Sequence, residues 1–100
     1  MIVEPSPPKF TLTPPHYMNA SAGSTVNLTC RATGIPRPVV TWYKDGQPVP
    51  REDITRVDGM SLLPLKNVQP YDQGKYSCEA ENAEGRNRSS TTHLMSKKFC

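Results

Sequence analysis

Two cysteines, a single tryptophan and a tyrosine form the feature of this sequence that most constrains its fold. Cys30 and Cys78 are 48 positions apart, and Trp42 follows the first cysteine by twelve residues. The second cysteine ends the pattern Asp72-x-Gly74-x-Tyr76-x-Cys78. Each of these residue types has a mechanical role in a β-sandwich whose two sheets are joined through the middle. We therefore expect these residues to hold such a fold together rather than to contact a partner.

Segments of alternating apolar and polar residues recur along the chain with the period of a β-strand. The three clearest segments are residues 25–32, 39–44 and 74–81. Their predicted inward side chains are Val26, Leu28, Cys30 and Ala32; Val40 and Trp42; and Tyr76, Cys78 and Ala80. Seven or eight such strands at regular intervals, with almost no helical periodicity, predict an all-β sandwich.

Proline and glycine mark where the strands end. Residues 10–13 are predicted as the first strand, with Phe10 and Leu12 on one face. Pro14-Pro15 ends this strand, which suits a chain that shifts from one sheet to the other. Asp45-Gly46 predicts a tight turn between two strands.

Two later segments are less regular. Leu63 and Leu65 are predicted to point inward from residues 62–65, but Pro64 between them lacks the N–H that a strand needs, which costs a ladder bond or forces a bulge. The last strand is polar and has Leu94 as its apolar anchor.

Composition and charge exclude several classes of function. The net charge is +3, and no block of five or more like charges suggests a nucleic-acid-binding tail. No apolar run approaches the ~18–20 residues that span a bilayer, so we expect membrane attachment only through a parent chain. His16 and His93 are isolated, and no spacing of His, Cys or Asp resembles a metal site. We therefore expect no metal, no cofactor and no catalytic group.

These motifs, in this order and at these intervals, resemble the immunoglobulin fold, and in detail its intermediate (I-set) type. Besides the cysteine–tryptophan–tyrosine pattern, the resemblance rests on Ala22-Gly23-Ser24, Gly34-x-Pro36-x-Pro38, Trp42-Tyr43-Lys44-Asp45-Gly46 and Asn82-Ala83-Glu84-Gly85. It covers roughly residues 9–95 and implies a two-sheet antiparallel β-sandwich with a disulfide between strands B and F of that fold. We expect a linker or added segment at residues 1–8, the domain at residues 9–96, and a linker or truncation boundary at residues 97–100.

The resemblance assigns structural roles to the residues of the opening pattern. Cys30 and Cys78 would form the disulfide, which in the chain-entropy model removes about 4 kcal/mol of unfolded-state entropy. Trp42 would pack on this bridge, and the Tyr76 hydroxyl would bond to the backbone near Asp72. The expected core residues are Trp42, Tyr76, Asp72, Leu28 and Leu65. We also expect an ion pair between Asp72 and a basic residue, with Arg56 as first candidate and Arg51 as second.

The function that the resemblance implies is binding without catalysis. Such modules serve protein recognition, cell adhesion or spacing in the ectodomain of a receptor or in a matrix protein, and an exposed strand edge can also pair two copies as a homodimer. The candidate surfaces are an exposed sheet face and the end loops 35–38 and 82–85. The alternatives are an intracellular I-set module of a giant muscle or cytoskeletal protein, and an accessory domain of a receptor kinase, phosphatase or other enzyme.

Three sequons for N-glycosylation favour an extracellular location. They begin at Asn19, Asn27 and Asn87, and although each tripeptide also arises by chance, the set indicates the secretory pathway, which also permits a disulfide. Cys100 is an odd cysteine beyond the last strand. We interpret it as a truncation boundary or as half of a bridge to another domain, with a reactive thiol or intermolecular link as the alternative.

Basic residues are predicted to gather on one sheet face. They are Arg37, Lys44, Lys75, Arg86 and Arg88. One interpretation is a surface for an anionic partner such as a sulfated glycan or an acidic protein. The other is a solvated face that Glu79, Glu81 and Glu84 neutralise.

Overall fold

The computed structural model describes residues 4–57 and 60–97, and these residues form two β-sheets. The strands are β1 Ser6–Leu12, β2 Tyr17–Ser21, β3 Val26–Ile35, β4 Val39–Lys44, β5 Gln47–Pro48, β6 Thr55–Val57, β7 Met60–Leu65, β8 Gly74–Asn82, β9 Gly85–Arg88 and β10 Thr92–Lys97. Two single-turn 3₁₀ helices, Arg51–Asp53 and Pro70–Asp72, precede β6 and β8. Within the described residues, no helix is long and apolar enough to cross a membrane.

The two sheets confirm the predicted immunoglobulin-like sandwich. One sheet has the order β1-β3-β7-β6, and the other has the order β2-β10-β8-β4-β5 with β9 also paired to β8. The chain crosses between the sheets after β1, at the predicted Pro14-Pro15. Because of this crossing, β2 runs parallel to β10, whereas every other strand pair is antiparallel.

The first strand differs from its prediction in two ways. It begins at Ser6, so its first three residues lie in the segment predicted to be a linker, and Pro8 is buried. Phe10 packs against the core, but Leu12 is 45% exposed. The cause is a register shift between these two residues where β1 pairs with β3, since a bulge reverses the facing of the next side chain.

The inward and outward positions of the other strand residues are otherwise as predicted. The inward side chains form a core around one central layer. The Cys30–Cys78 disulfide joins β3 to β8, with a Cα–Cα distance of 6.7 Å. Trp42 lies directly opposite Cys78 on β4, and Ser61 lies opposite Cys30 on β7. Trp42 Nε1 donates a buried hydrogen bond of 2.9 Å to Ser61 Oγ. This hydrogen bond and the disulfide both connect the two sheets. Around this layer the core is completed by Ala20, Leu28, Ala32, Val40, Leu63, Val68, Tyr76, Ala80 and Leu94, with Leu65 half-buried against them.

Pro64 lies in β7 without breaking it. β7 pairs with β3 as far as Leu65, but β6 reaches only Leu62 on its other side. Pro64 therefore occupies a stretch with an open edge, where a missing N–H is tolerated.

The turn at Asp45-Gly46 is confirmed as a two-residue hairpin turn. Lys44 pairs with Gln47 across it, and both turn residues have positive φ, 51° and 83°. This is the type I′ geometry that favours glycine at its second position.

Candidate functional site

The tyrosine corner confirms the predicted role of Tyr76. Its hydroxyl donates a hydrogen bond of 2.6 Å to the Asp72 carbonyl, and the Asp72 carboxylate accepts the Gln69 N–H at 2.8 Å. Burial, together with the negative charges of Asp72 and Asp45, raises the pKa of Tyr76 to about 12. The hydroxyl therefore stays protonated, and available as a donor, at alkaline pH where an ordinary tyrosine would ionise.

Gly74 has a steric role that the sequence pattern alone does not reveal. The Asp45 carboxylate accepts a hydrogen bond of 2.9 Å from the Lys75 backbone N–H. The Asp45 backbone N–H in turn donates a hydrogen bond of 2.8 Å to the Lys75 carbonyl. A Cβ atom on Gly74 would lie 2.8 Å from Asp45 Oδ2, which is closer than real contacts allow. Asp72, Gly74 and Tyr76 are thus all structural.

The predicted ion pair at Asp72 is wrong. Arg56 Nη2 instead donates a hydrogen bond of 2.8 Å to the Val40 carbonyl, and so crosses from β6 in one sheet to β4 in the other. Arg51 forms no ion pair with Asp72 either among the described residues. The Asp72 carboxylate caps the 3₁₀ helix by accepting the Gln69 N–H. This role explains why the motif contains an aspartate even though no cation pairs with it here.

The arginines of the last hairpin are neutralised by glutamates of the neighbouring strand. Arg86 Nη2 lies 2.6 Å from Glu81 Oε2, and Arg88 Nη2 lies 2.8 Å from Glu79 Oε2. The hydrogen bond with Glu81, and then the charges of both glutamates, raise the pKa of Arg86 above its ordinary value. Arg88 also lies 4.8 Å from the ring centroid of Tyr43. These paired arginines and glutamates form what we call the neutralised ladder. For this part of the basic set, the ladder supports the interpretation of a solvated face whose charge the glutamates neutralise.

The remaining predicted basic residues do not join that ladder. Lys44 donates to the Tyr71 carbonyl and lies 5.9 Å from the ring centroid of Tyr76. Lys75 is exposed on β8, and Arg37 is exposed beyond the opposite end of β4 from Lys44. The five residues therefore lie in several local environments, and Arg37 lines a cleft that the other four do not line.

Two clefts open along the side of the sandwich where β5 and β6 are short. The larger is about 640 Å³, and charges of both signs line it: Lys44, Lys66, Glu52, Asp53 and Asp72. The smaller is about 230 Å³, and its lining includes Arg37, Arg56 and Ser61, with apolar walls from Val40, Val57 and Met60. No acidic side chain lines the smaller cleft within the described ranges.

The three sequons lie in different environments. Asn19 is exposed on β2, and Asn27 is exposed on β3, on the side opposite the core. Asn87 pairs in register with buried Ala80, and its amide contacts the Pro8 carbonyl at 3.5 Å although the residue is exposed. Asn27 thus lies on the outer face of its sheet, as a glycan requires.

One end of the sandwich is organised by a single amide. Asn82 Nδ2 donates to the carbonyls of Ser6 and Pro36, at 2.8 Å in both cases. Asn82 Oδ1 accepts the N–H of Glu84 at 2.9 Å. Three separate segments are therefore joined at this residue, and sequence reasoning had placed it only in a hairpin loop.

The predicted end loops lie together because of this amide. Loops 35–38 and 82–85, together with Val39, form what we call the end surface. Ile35 is 43% exposed there and Val39 is 53% exposed. The end surface thus presents apolar side chains on loops that hydrogen bonds hold together.

The described histidines and acidic residues are dispersed over the domain. Within residues 4–57 and 60–97, no three His, Cys, Asp or Glu side chains lie close enough to hold a metal ion. His93 stacks on Tyr17, with ring centroids 5.2 Å apart. Cys100 lies outside the described residues.

Comparison with known proteins agrees with the geometry. The immunoglobulin domain model matches residues 7–82. Human protein turtle homolog B is 39% identical over 90 residues, which are 90% of this chain and 6% of that protein. The mouse basement membrane-specific heparan sulfate proteoglycan core protein is 38% identical over 82 residues, which are 79% of this chain and 2% of that protein. The chain thus spans a small part of these relatives.

Solved structures show the same fold. A chimeric titin Z1Z2 structure superimposes with a TM-score of 0.88 at 35% identity, covering 96% of this chain and 50% of the titin chain. The family match, the two sheets and the inter-sheet disulfide all agree. The chain therefore belongs to the immunoglobulin domain family.

Proposed function

We propose that this domain is a non-catalytic, extracellular I-set-type module that recognises another protein through its end surface. The observation that carries the proposal is the end surface itself, where Asn82 fixes two loops and leaves Ile35 and Val39 exposed. Apolar side chains on a pre-organised backbone favour association, because binding then orders few additional groups. Cys30, Trp42, Tyr76 and Cys78 are buried in the core and cannot serve this role.

The disulfide and the sequons support the extracellular location. A disulfide persists in oxidising compartments, and Asn27 offers an open position for a glycan on the outer face of β3. The likeness to a proteoglycan core protein specific to basement membrane favours the same location.

The location is tested by producing the chain with a signal peptide in secretory cells. Mass spectrometry of the secreted domain should find the Cys30–Cys78 bridge and a glycan on Asn27, lost in Asn27→Gln. An unglycosylated domain that folds equally well with reduced cysteines would contradict the extracellular proposal.

Recognition is tested by presenting the domain as a multivalent probe to a panel of ectodomains that includes the domain itself. We expect binding that is lost in the double variant Ile35→Asp plus Val39→Asp. Arg86→Ala plus Arg88→Ala serves as the control, because those residues lie in the neutralised ladder. Binding that survives the end-surface variant would refute the assignment to this surface.

A second candidate is an intracellular structural module. The observation that favours it is the close superposition on titin domains. This alternative predicts that the domain keeps its stability after reduction and binds none of the ectodomains.

A further inference from the structure

The outer face of β2 and β10 carries side chains that are exposed and largely apolar. Tyr17 is 72% exposed at the start of β2, and its ring stacks on His93 of β10, with ring centroids 5.2 Å apart. Met95 is 50% exposed and points to the same side as His93, because Leu94 between them is fully buried. Covering these side chains would remove apolar surface from water, which is favourable.

Asn19 lies on the same outer face. Ala20 is buried and Met18 packs against the core, so the alternation of β2 turns Tyr17 and Asn19 outward together. These two residues are about 7 Å apart along the strand, which is within reach of a sugar attached to the asparagine. Met95 is the partner of Asn19 in the parallel register with β10. The asparagine thus has an aromatic ring two residues before it and a thioether beside it.

This asparagine begins one of the three sequons. The tripeptide Asn19-Ala20-Ser21 is an acceptor for N-glycosylation. We propose that Asn19 carries an N-linked glycan whose first N-acetylglucosamine packs on the Tyr17 ring and covers Met95. The inference rests on the proposed extracellular location and gives one sequon a structural role.

The modification itself is a glycosyl transfer from a lipid-linked diphosphate donor of the secretory pathway. The bond between C1 of the first sugar and the diphosphate breaks, and a bond from C1 to Asn19 Nδ2 forms. The lipid diphosphate is the leaving group, and the amide nitrogen gives up one proton. No oxidant or reductant is involved.

The chemistry of the sugar suits this surface. The ring substituents of β-linked N-acetylglucosamine are equatorial, so each face of the ring presents C–H groups. Such a face packs on an aromatic ring because both surfaces leave water and the C–H groups meet the negative face of the π system. The stack on His93 already restricts Tyr17, so less side-chain entropy is lost when the sugar packs.

The position of β2 leaves space for the glycan. In the described part of the chain β2 is the edge strand of its sheet, with β10 on one side only. A second copy of this chain could cover the same side chains by pairing with that edge. The sequon favours the glycan, because it places a sugar on this face by a covalent bond, and its bulk would obstruct such pairing.

Asn27 provides a matched control within the chain. It also lies on the outer face of a strand and begins a sequon. The residue two positions before it is Thr25, and neither β3 nor the neighbouring β7 contains an aromatic residue. A glycan on Asn27 therefore has no aromatic ring on these strands to pack on.

The test uses the secreted domain with one sequon at a time. Asn27→Gln plus Asn87→Gln leaves only Asn19, and Asn19→Gln plus Asn87→Gln leaves only Asn27. An endoglycosidase trims one sample of each to a single N-acetylglucosamine, and a glycoamidase removes the whole glycan from another. At Asn19 the trimmed form should keep its Tm, whereas complete removal should lower the Tm by about 5 °C, as expected for one aromatic contact. At Asn27, where removal also converts the asparagine to aspartate, the fall should be less than half as large.

Variants of Tyr17 identify the contact. Tyr17→Phe should keep the Tm difference between the Asn19 glycoform and its glycan-free form, and Tyr17→Ala should abolish it. Since the comparison is made within each variant, the lost stack on His93 cancels. Proton NMR of the trimmed glycoform adds a readout that does not depend on stability. The ring current of Tyr17 should shift C–H protons of the sugar upfield, and Tyr17→Ala should remove that shift.

Four results would overturn the inference. The first is an empty Asn19 beside an occupied Asn27, and the second is an equal fall in Tm at the two sites. The third is a Tm difference at Asn19 that persists in Tyr17→Ala. The fourth is a glycoform without the upfield shift whose glycan-free form dimerises through Tyr17. All four leave the extracellular location standing, whereas a chain without a glycan on either asparagine would contradict that location as well.

Discussion

Replacing Asn82 tests whether one amide holds the end of this sandwich together. Asn82→Ala removes both hydrogen bonds donated to Ser6 and Pro36 and the one accepted from Glu84. A typical hydrogen bond contributes about 0.5–1.5 kcal/mol net, and only the bond to Ser6 is partly buried here. We therefore expect a loss of about 2 kcal/mol in the free energy of unfolding. For a domain of this size that corresponds to a fall of about 10 °C in Tm.

The isosteric variant Asn82→Asp separates the donated bonds from the shape of the side chain. The aspartate keeps an acceptor for the backbone N–H of Glu84. Its second carboxylate oxygen, however, points toward the carbonyls of Ser6 and Pro36. Since three acceptors would then face one another, we expect Asp to destabilise the domain at least as much as Ala. Asn87→Ala is the matched control, because its amide makes only a 3.5 Å contact with Pro8 and its loss should cost less than about 0.5 kcal/mol.

Urea unfolding followed by tryptophan fluorescence measures these differences. Trp42 is fully buried, so its emission reports global unfolding, and the m value should remain constant across the variants. The reasoning is refuted if Asn82→Ala lies within 0.5 kcal/mol of wild type, a bound set by the ordinary surface substitution. It is also refuted if Asn82→Asp is more stable than Asn82→Ala.

Further predictions concern the corner and the core. Gly74→Ala should lower the free energy of unfolding by about 1–3 kcal/mol, because the new Cβ displaces the Asp45 carboxylate from Lys75. Asp45→Ala in the same background should recover part of that loss. An unchanged midpoint of urea unfolding for Gly74→Ala would contradict this prediction. Tyr76→Phe should cost about 1–2 kcal/mol through the lost bond to the backbone. The folded-state pKa of Tyr76 is raised to about 12 from 10.0, so its contribution to stability is complete below pH 10 and lost as the pH rises toward 12; Tyr76→Phe should remove this pH-dependent loss, and an identical profile in both proteins would refute it. Trp42→Phe should cost about 3 kcal/mol, since it empties part of the core and leaves Ser61 without its donor, and calorimetry would detect this as a lower Tm.

Strand parity could be read from the sequence because it depends on local alternation. Leu28, Cys30 and Trp42 each occupy the inward position of a period-two segment, and burial of that face leaves one register for each strand. The turn at Asp45-Gly46 was equally predictable, since positive φ at two successive residues favours few residue types.

The features that escaped prediction depend on contacts between distant segments. Leu12 turns outward because of a register shift against β3, which no pattern within β1 encodes. Arg56 contacts Val40 rather than Asp72 because it reaches across the gap between the sheets. Asn82 looked like an ordinary loop residue, although its two donated bonds reach segments 76 and 46 residues away in sequence.

The position of β10 has a consequence for how this domain is made. β10 lies between β2 and β8, so the first strand of its sheet in sequence has no partner in that sheet until the last one has been synthesised. On the ribosome, β2 must therefore wait for about seventy further residues before it can pair, and the sheet closes in a late step. A chain that stopped before Thr92 would leave the edges of two strands uncovered at once, which makes nascent or clipped forms the species most prone to aggregate.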